Sequence, residues 1–326
     1  MGTFISDNAP KFGQVFIAVF GFLAIMSAIF FIAGKANGKK SKPIANIVFL
    51  GPAVLLLGAG LIVPTFQTIM FSFKNDTSQK WVGLANYKWI FTDPDIHLVL
   101  FNTLLWILVV PVVTTGIGLG LAVLMDRMKN ESIPKSLIFM PMAISFVGAS
   151  IIWRFVYNYS TRNQPQVGLL SAIVKLFGGQ PQNWLLVKPL NTFLLMIIFV
   201  WVQTGFSMVI LSAAIKAVPA DIVEASALDG AYGWRLFRFI TFPSVRSTFI
   251  VVLATQVVGA LKLFDIVRTM TGGNFGTNVI ANEMYAQVFV QFNQGKGSAL
   301  AIALFMCVLP VLFYNMRNLR LERSHR

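Results

Sequence analysis

Residues 215–243 read IKAVPADIVEASALDGAYGWRLFRFITFP and lie between two long apolar runs. The stretch has the pattern of two short helices. Pro219 suits a first helical position, where no backbone N–H is needed. Asp221 and Glu224 fall early, where the positive end of a helix favours acids. Gly230 suits a left-handed turn at the helix C-terminus. A second helix is expected from about Gly233 to Ile240, stopped by Pro243. On it Trp234, Phe237 and Ile240 form an apolar stripe, and Arg235 and Arg238 share a face. Ala225, Ser226, Ala227 and Ala231 are small enough to let another backbone approach. Taken alone, these residues fit a hairpin lying on a bilayer surface as well as a docking element for a partner.

The rest of the chain brings in the bilayer. Of 326 residues, 56% are hydrophobic and only 12% are charged, about half the roughly 25% charged share of soluble domains. A helix needs about 20 apolar residues to cross roughly 30 Å of hydrocarbon. Seven runs qualify, near 14–33, 44–71, 98–125, 137–157, 190–215, 247–264 and 298–316. The expected fold is therefore an all-α polytopic membrane protein with seven transmembrane helices. Pro52, Pro64, Pro111, Pro141 and Pro310 interrupt several runs, which helix bundles tolerate because neighbours satisfy the freed carbonyls.

The first run exceeds the roughly 7–15-residue apolar core of a signal peptide. Its leading segment is nearly neutral, Asp7 against Lys11, and Lys35, Lys39, Lys40 and Lys42 follow it. It reads as an uncleaved helix with its N-terminus outside. Alternation then places 35–42, 127–135, 216–246 and the tail from Arg317 inside. Those segments hold 15 of the 26 Lys and Arg, in line with the positive-inside rule. The net charge of +14 is thus mostly topological, with attraction to anionic lipid added. The lipid bilayer is the implied partner, and no nucleic acid is needed to explain the charge.

Ion-coupled carriers keep ionisable residues within their spans. Here the span centres carry almost none, and Asp126 and Asp265 fall at helix ends. Residues 34–41, GKANGKKS, miss the spacing of a phosphate-binding loop. His97 and His325 are too few for a Ser–His–Asp set or a zinc motif. The single Cys307 forms no intrachain disulfide. No catalytic residue, metal site or cofactor is expected in this chain, so something else supplies the energy. An ion-coupled secondary transporter of a small solute is the alternative. A seven-helix receptor would not explain the patterned 215–243 loop.

That loop carries a resemblance. Glu224-Ala225-Ser226-Ala227-Leu228-Asp229-Gly230-Ala231, followed by Phe237, Ile240 and Pro243, resembles the EAA loop of bacterial ABC importer permeases. The family pattern is E-A-A-x-x-D-G-A with spaced Phe, Ile and Pro. Ser226 replaces the third small residue, and Ser247 stands where a second Pro often occurs. Residues 81–87, WVGLANY, resemble the G-L-x-N-Y segment after the first core span. Residues 262–267, KLFDIV, with Thr271-Gly272-Gly273, resemble the F-D-x-x-x-x-x-T-G-G stretch of carbohydrate-importer permeases. The likeness covers the chain from about Ile44 to its end. The subfamily it resembles is the maltose-type, MalF-like one. Residues 279–285 (VIANEMY), 297–301 (GSALA) and 314–317 (YNMR) look most like alpha-glucoside permeases.

The resemblance implies two domains. Residues 1–43 are an extra N-terminal transmembrane helix with a basic cytoplasmic linker. Residues 44–326 are a six-span permease domain with a coupling loop at 215–246. It implies partners too: a second homologous permease subunit, an ABC ATPase dimer at the cytoplasmic face that binds ATP and magnesium, and an extracytoplasmic sugar-binding protein. The implied location is the bacterial cytoplasmic membrane, with the C-terminus cytoplasmic. Glu224 is expected to anchor the docked loop, Gly230 to set its turn, and Ala225 and Ala231 to permit close approach. Asp229 either caps the next turn or contacts the ATPase, and Pro243 closes the motif. The spans flanking the loop are expected to line the sugar path. They offer Gln203, Thr204, Phe206 and Gln256, with Gly259 making room. Amides suit hydroxyls, although Gln203 and Gln256 equally suit bonds between helices.

Overall fold

The computed structural model describes residues 41–126, 128–161 and 164–324, and the helical positions 17, 20–24, 26, 27 and 31. The rest of the expected 14–33 span lies outside these residues, as do Lys35, Lys39, Lys40, Arg127, His325 and Arg326. The chain divides into two compact units, Met1–Gln67 and Thr68–Arg326.

The helix Ser41–Leu57 of the first unit passes into a π turn, Gly58–Ile62, and then into the helix Val63–Ser72, within which the boundary between the units falls. The N–H of Val63 bonds the carbonyl of Gly58, five residues back, immediately before Pro64. Proline lacks an N–H and crowds the carbonyl four residues back, and a widened turn relieves both problems. Leu55, Leu56 and Leu61 are exposed, a state that hydrocarbon favours and water does not.

The second unit is built on three long helices. Pro94–Asp126 starts at a capped end, where the Asp93 carboxylate accepts the N–H of Asp95 at 3.0 Å. Its 33 residues reach about 50 Å, ample for a bilayer. Leu190–Lys216 runs alongside it, and Trp234–Leu261 packs on both. Leu190–Lys216 is the axis: 61% of its apolar window is buried, against 39% and 33% for the other two. Small residues let these backbones meet. A Cβ on Gly118 would lie 2.5 Å from that of Ser207, and one on Gly205 would lie 2.6 Å from the Ile138 carbonyl oxygen.

The all-helical class expected from the sequence holds, but four or five of the seven expected spans are found among the described residues, and two local readings change. Four helices among the described residues are long and apolar enough to cross a membrane: Phe49–Ser72, Pro94–Asp126, Leu190–Lys216 and Trp234–Leu261. The expected straight span at 137–157 is instead a pair, Ser132–Ala143 and Phe146–Val156, bent by 102°. Pro141 tightens Met140–Ala143 into a 3-10 turn, and the Ser145 hydroxyl starts a new helix by accepting the N–H of Gly148. Counted as one span, the pair makes a fifth. The last expected run, 298–316, lies within the helix Gln294–Ser324, whose apolar part, Gln294–Pro310, is shorter than the four spans. No strand occurs among the described residues, only an isolated bridge between Lys74 and Trp81.

The second change concerns Pro243. It does not stop a short helix. Trp234–Leu236 passes through a π turn, Phe237–Thr241, into Phe242–Leu261, giving one helix of 28 residues. The N–H of Phe242 bonds the Phe237 carbonyl just before Pro243, the same device seen before Pro64. The second arm of the loop and the span that follows it are therefore one rod.

Candidate functional site

The 215–243 segment folds as a hairpin. Its first arm is Ala220–Leu228, with Pro219 at the N-cap rather than one position later. The arm ends in a Schellman turn. The Ala231 N–H bonds the Ser226 carbonyl at 2.9 Å, and the Gly230 N–H bonds that of Ala227 at 3.0 Å. Gly230 sits at φ +76°, as expected. Gly233 is a second left-handed residue, at φ 57° and ψ −119°, and it starts the second arm. That region is essentially closed to residues with a Cβ. The sequence reading used Gly233 only as a boundary. Its position between two aromatics, Tyr232 and Trp234, was the available signal for a sharp turn.

The root of the hairpin is fixed and its tip is open. Phe237 and Phe242 pack 6.0 Å apart, against a core of Leu119, Ala122, Met208, Leu211 and Val245. At the tip, Leu228 is 91% exposed and Trp234 69%. Glu224, Ala225 and Asp229 are exposed, Ala231 is half-buried, and Ser226 is buried with its hydroxyl on the Val223 carbonyl. The carboxylates of Glu224 and Asp229 have no partner among the described residues. Asp229 ends the first arm through its backbone alone. Apolar and acidic groups thus share one exposed tip on a rigid mount.

A polar brace ties this root to the neighbouring bent pair. Glu131 accepts from Lys135 at 2.8 Å and also from Lys216, the last residue of the axial helix. Lys135 further donates to the Ser212 hydroxyl at 2.6 Å. Hydrogen bonds from Lys135, then Lys216, hold the Glu131 carboxyl below its ordinary value. The spacing of four between Glu131 and Lys135 was the available signal for half of this brace; the Lys216 partner, 85 positions away, left none.

Above the hairpin, the axial helix and Trp234–Leu261 form a seam. Gln256 is buried, and its amide donates to the Ser207 hydroxyl at 3.0 Å. A Cβ on Gly259 would come within 3.2 Å of the Phe199 ring. Phe199, Gln203 and Ser207 are spaced by four on one helix, so Gln203 lies on the same face between these contacts. Gln203 and Phe206 are half-buried, and Gln203 has no hydrogen-bond partner among the described residues. The structure thus brings Gln203, Gln256 and Gly259 to one seam. Gln256 serves there as a bond between helices, while the Gln203 amide is free. Thr204 is buried with its hydroxyl on the Val200 carbonyl.

At the opposite end of the axial helix lies a glycine loop after the short helix Asp265–Met270. The Thr271 and Thr277 hydroxyls meet at 2.6 Å. Asn102 donates to the carbonyls of Gly276 and Asn278 at 2.7 and 2.9 Å, and Asn191 donates to that of Phe275 at 2.9 Å. Asn102 and Asn191 went unnoticed in the sequence, each beside a threonine, Thr103 and Thr192, at the start of a long apolar run.

With this geometry in place, three comparisons bear on the chain. Residues 14–319 match the model of the family described as binding-protein-dependent transport system inner membrane component. The osmoprotective compounds uptake permease protein GgtC of Synechocystis is 47% identical, over 86% of this chain and all of that one. The alpha-glucoside transport system permease protein AglF of Rhizobium meliloti is 42% identical, over 90% of each. In three dimensions, a bacterial ABC transporter involved in the import of the acidic polysaccharide alginate matches with a TM-score of 0.73. It is 19% identical and covers 83% of this chain and 94% of that one, a likeness of fold. The chain belongs to the binding-protein-dependent transport system inner membrane component family.

Proposed function

As a member of that family, this chain is, we propose, the permease subunit of an ATP-driven importer whose cargo is a small alpha-glucoside. Sugar import is supported by the relatives. One transports alpha-glucosides and another takes up osmoprotective compounds. Small alpha-glucosides such as trehalose and sucrose fit both descriptions. The observation that carries the mechanism is the hairpin: an exposed acidic and apolar tip on a rod that continues into a span. A partner that moves this tip moves the span as a rigid body.

In this reading the partners are an ATPase pair at the hairpin end, a second permease beside this one, and a sugar-binding protein at the far end. ATP and magnesium sit in the ATPase, and this chain is not an enzyme. Glu224 anchors the docked tip, Leu228 fills an apolar socket, and Gly230 with Gly233 set the angle between the arms. Residues 1–43 are an N-terminal addition and residues 44–326 a six-span core, seven spans in all, with the N-terminus outside and the C-terminus cytoplasmic. Gln203 and Phe206 face the path, and Gln256 and Gly259 hold it open.

Uptake of labelled trehalose, sucrose and maltose by cells tests the reading. Uptake is expected to stop when ATP is depleted while the ion gradient is held. Uptake that persists without ATP and collapses with the gradient would instead establish an ion-coupled carrier.

A further inference from the structure

A cleft of about 580 Å³ opens at the end of the bundle opposite the hairpin, a size in the range of small-molecule sites. It lies beside the start of Pro94–Asp126 and the glycine loop, within the second unit. Its walls are polar. Glu283 is held by neutral amides: its oxygens accept from Asn278 and Gln287, each at 2.7 Å. No lysine or arginine among the described residues pairs with it. The remaining lone pairs of this carboxylate are thus available to hydroxyl donors.

A second observation points to a ligand. Gln287 lines the cleft at only 3% exposure, and its Oε1 has no donor among the described residues. Turning the amide over does not cure this, since it would set that oxygen against the Glu283 carboxylate. A buried amide oxygen without a donor costs about 1–3 kcal/mol, and a ligand hydroxyl would remove that cost.

The charge balance selects the class. Asp93, Asp95 and Glu283 stand against Lys188 and Lys296 around the cleft, one acid in excess, so an anion is disfavoured and a cation gains little. No group of acidic, histidine or cysteine residues among those described is placed to hold a metal ion. Exposed Asn274 adds an amide at the rim. Closely mixed donors and acceptors suit a ligand whose every group both donates and accepts, and that is a polyhydroxylated one.

We propose that this cleft is a sugar-hydroxyl subsite, in which Glu283 and Gln287 accept hydroxyls of an alpha-glucoside at the entry end of the path. It is distinct from the Gln203–Gln256 seam, and it rests on the sugar reading above. The test is saturation-transfer NMR on the full chain in lipid nanodiscs, with trehalose, sucrose and maltose at millimolar concentration. Transfer to at least one sugar is expected. Gln287→Leu and Glu283→Gln should weaken it by about tenfold, the cost of one hydrogen bond to a buried or charged acceptor. Asn274→Ala, at an exposed rim position, should weaken it less, and a melt should show only the small loss of its one bond to the Thr271 carbonyl. Binding kept in Gln287→Leu and Asn274→Ala but lost in Gln203→Ala would overturn the cleft in favour of the seam. No transfer in the wild type, from cells that do import the sugar, would overturn the cleft alone. Cells that import none of the three sugars would overturn the sugar reading beneath it.

Discussion

The hairpin and the glycine loop are both turns forced by left-handed glycines, at opposite ends of the axial helix. Gly230 and Gly233 shape one, and Gly272, Gly273 and Gly276 the other. Their surroundings differ. The glycine loop is sewn in by Asn102, Asn191, Thr271 and Thr277, all buried. The hairpin has backbone turn bonds and a packed root, but its tip leaves Glu224, Asp229 and Leu228 facing outward. One turn is completed within this chain. The other leaves its tip exposed, and the proposed ATPase would complete it.

That contrast breaks most readily at Gly233. A Val there would have to adopt φ 57° and ψ −119°, which β-branched residues avoid. Transport is expected to fall to background at normal membrane abundance, with ATPase recovery lost. Gly230→Val should act in the same direction, with a strain of roughly 1–2 kcal/mol or more at a left-handed position. Space is not the obstacle, since a Cβ at Gly230 meets nothing within 4 Å. Normal uptake by both mutants would remove the hairpin from the coupling role.

The glycine loop should fail through stability instead. Asn102→Ala strips the donors from two carbonyls, a loss of roughly 2–3 kcal/mol. A thermal melt should show it as a lower Tm, with ATPase recovery retained in the protein that remains folded. Loss of ATPase from fully folded Asn102→Ala would show that the two ends are not separable.

Smaller effects sharpen the comparison. Leu228→Ala should leave the melt unchanged within about 0.5 kcal/mol, because the side chain buries nothing in this chain. It should still weaken retention of the ATPase. The Glu131 brace should be sensitive to acid. Its folded pKa is lowered by Lys135 and Lys216, so its contribution is complete above the unfolded carboxylate pKa. It is lost as pH falls through the lowered folded value. Glu131→Gln should abolish that part of the acid dependence, as read from melts over a pH series.

Local rules carried much of this fold. Apolar run length located the long helices, and Gly230 announced its left-handed turn through its place after an alanine-rich helix. The EAA pattern at 224–231 located the hairpin itself. Proline misled where context decided. Pro243 and Pro141 look alike as helix breakers, yet a π turn absorbs one and the other helps produce a 102° bend. The Glu131 brace and the Asn102 clamp depend on contacts 85 and 174 positions apart, which no local pattern records. Gln256 could be read from sequence as ligand contact or as a bond between helices, and only its distance to Ser207 assigns it the bond.

The most direct measurement is a mild-detergent pull-down of the tagged chain from its native membrane, beside the Glu224→Lys variant, with mass spectrometry of the companions. The wild type is expected to bring down a second permease and an ATPase, and the variant to keep the permease while losing the ATPase. Recovery of the intact wild-type chain alone, under conditions that preserve a known importer complex, would contradict the assignment of the hairpin as the place where an ATPase drives this transporter.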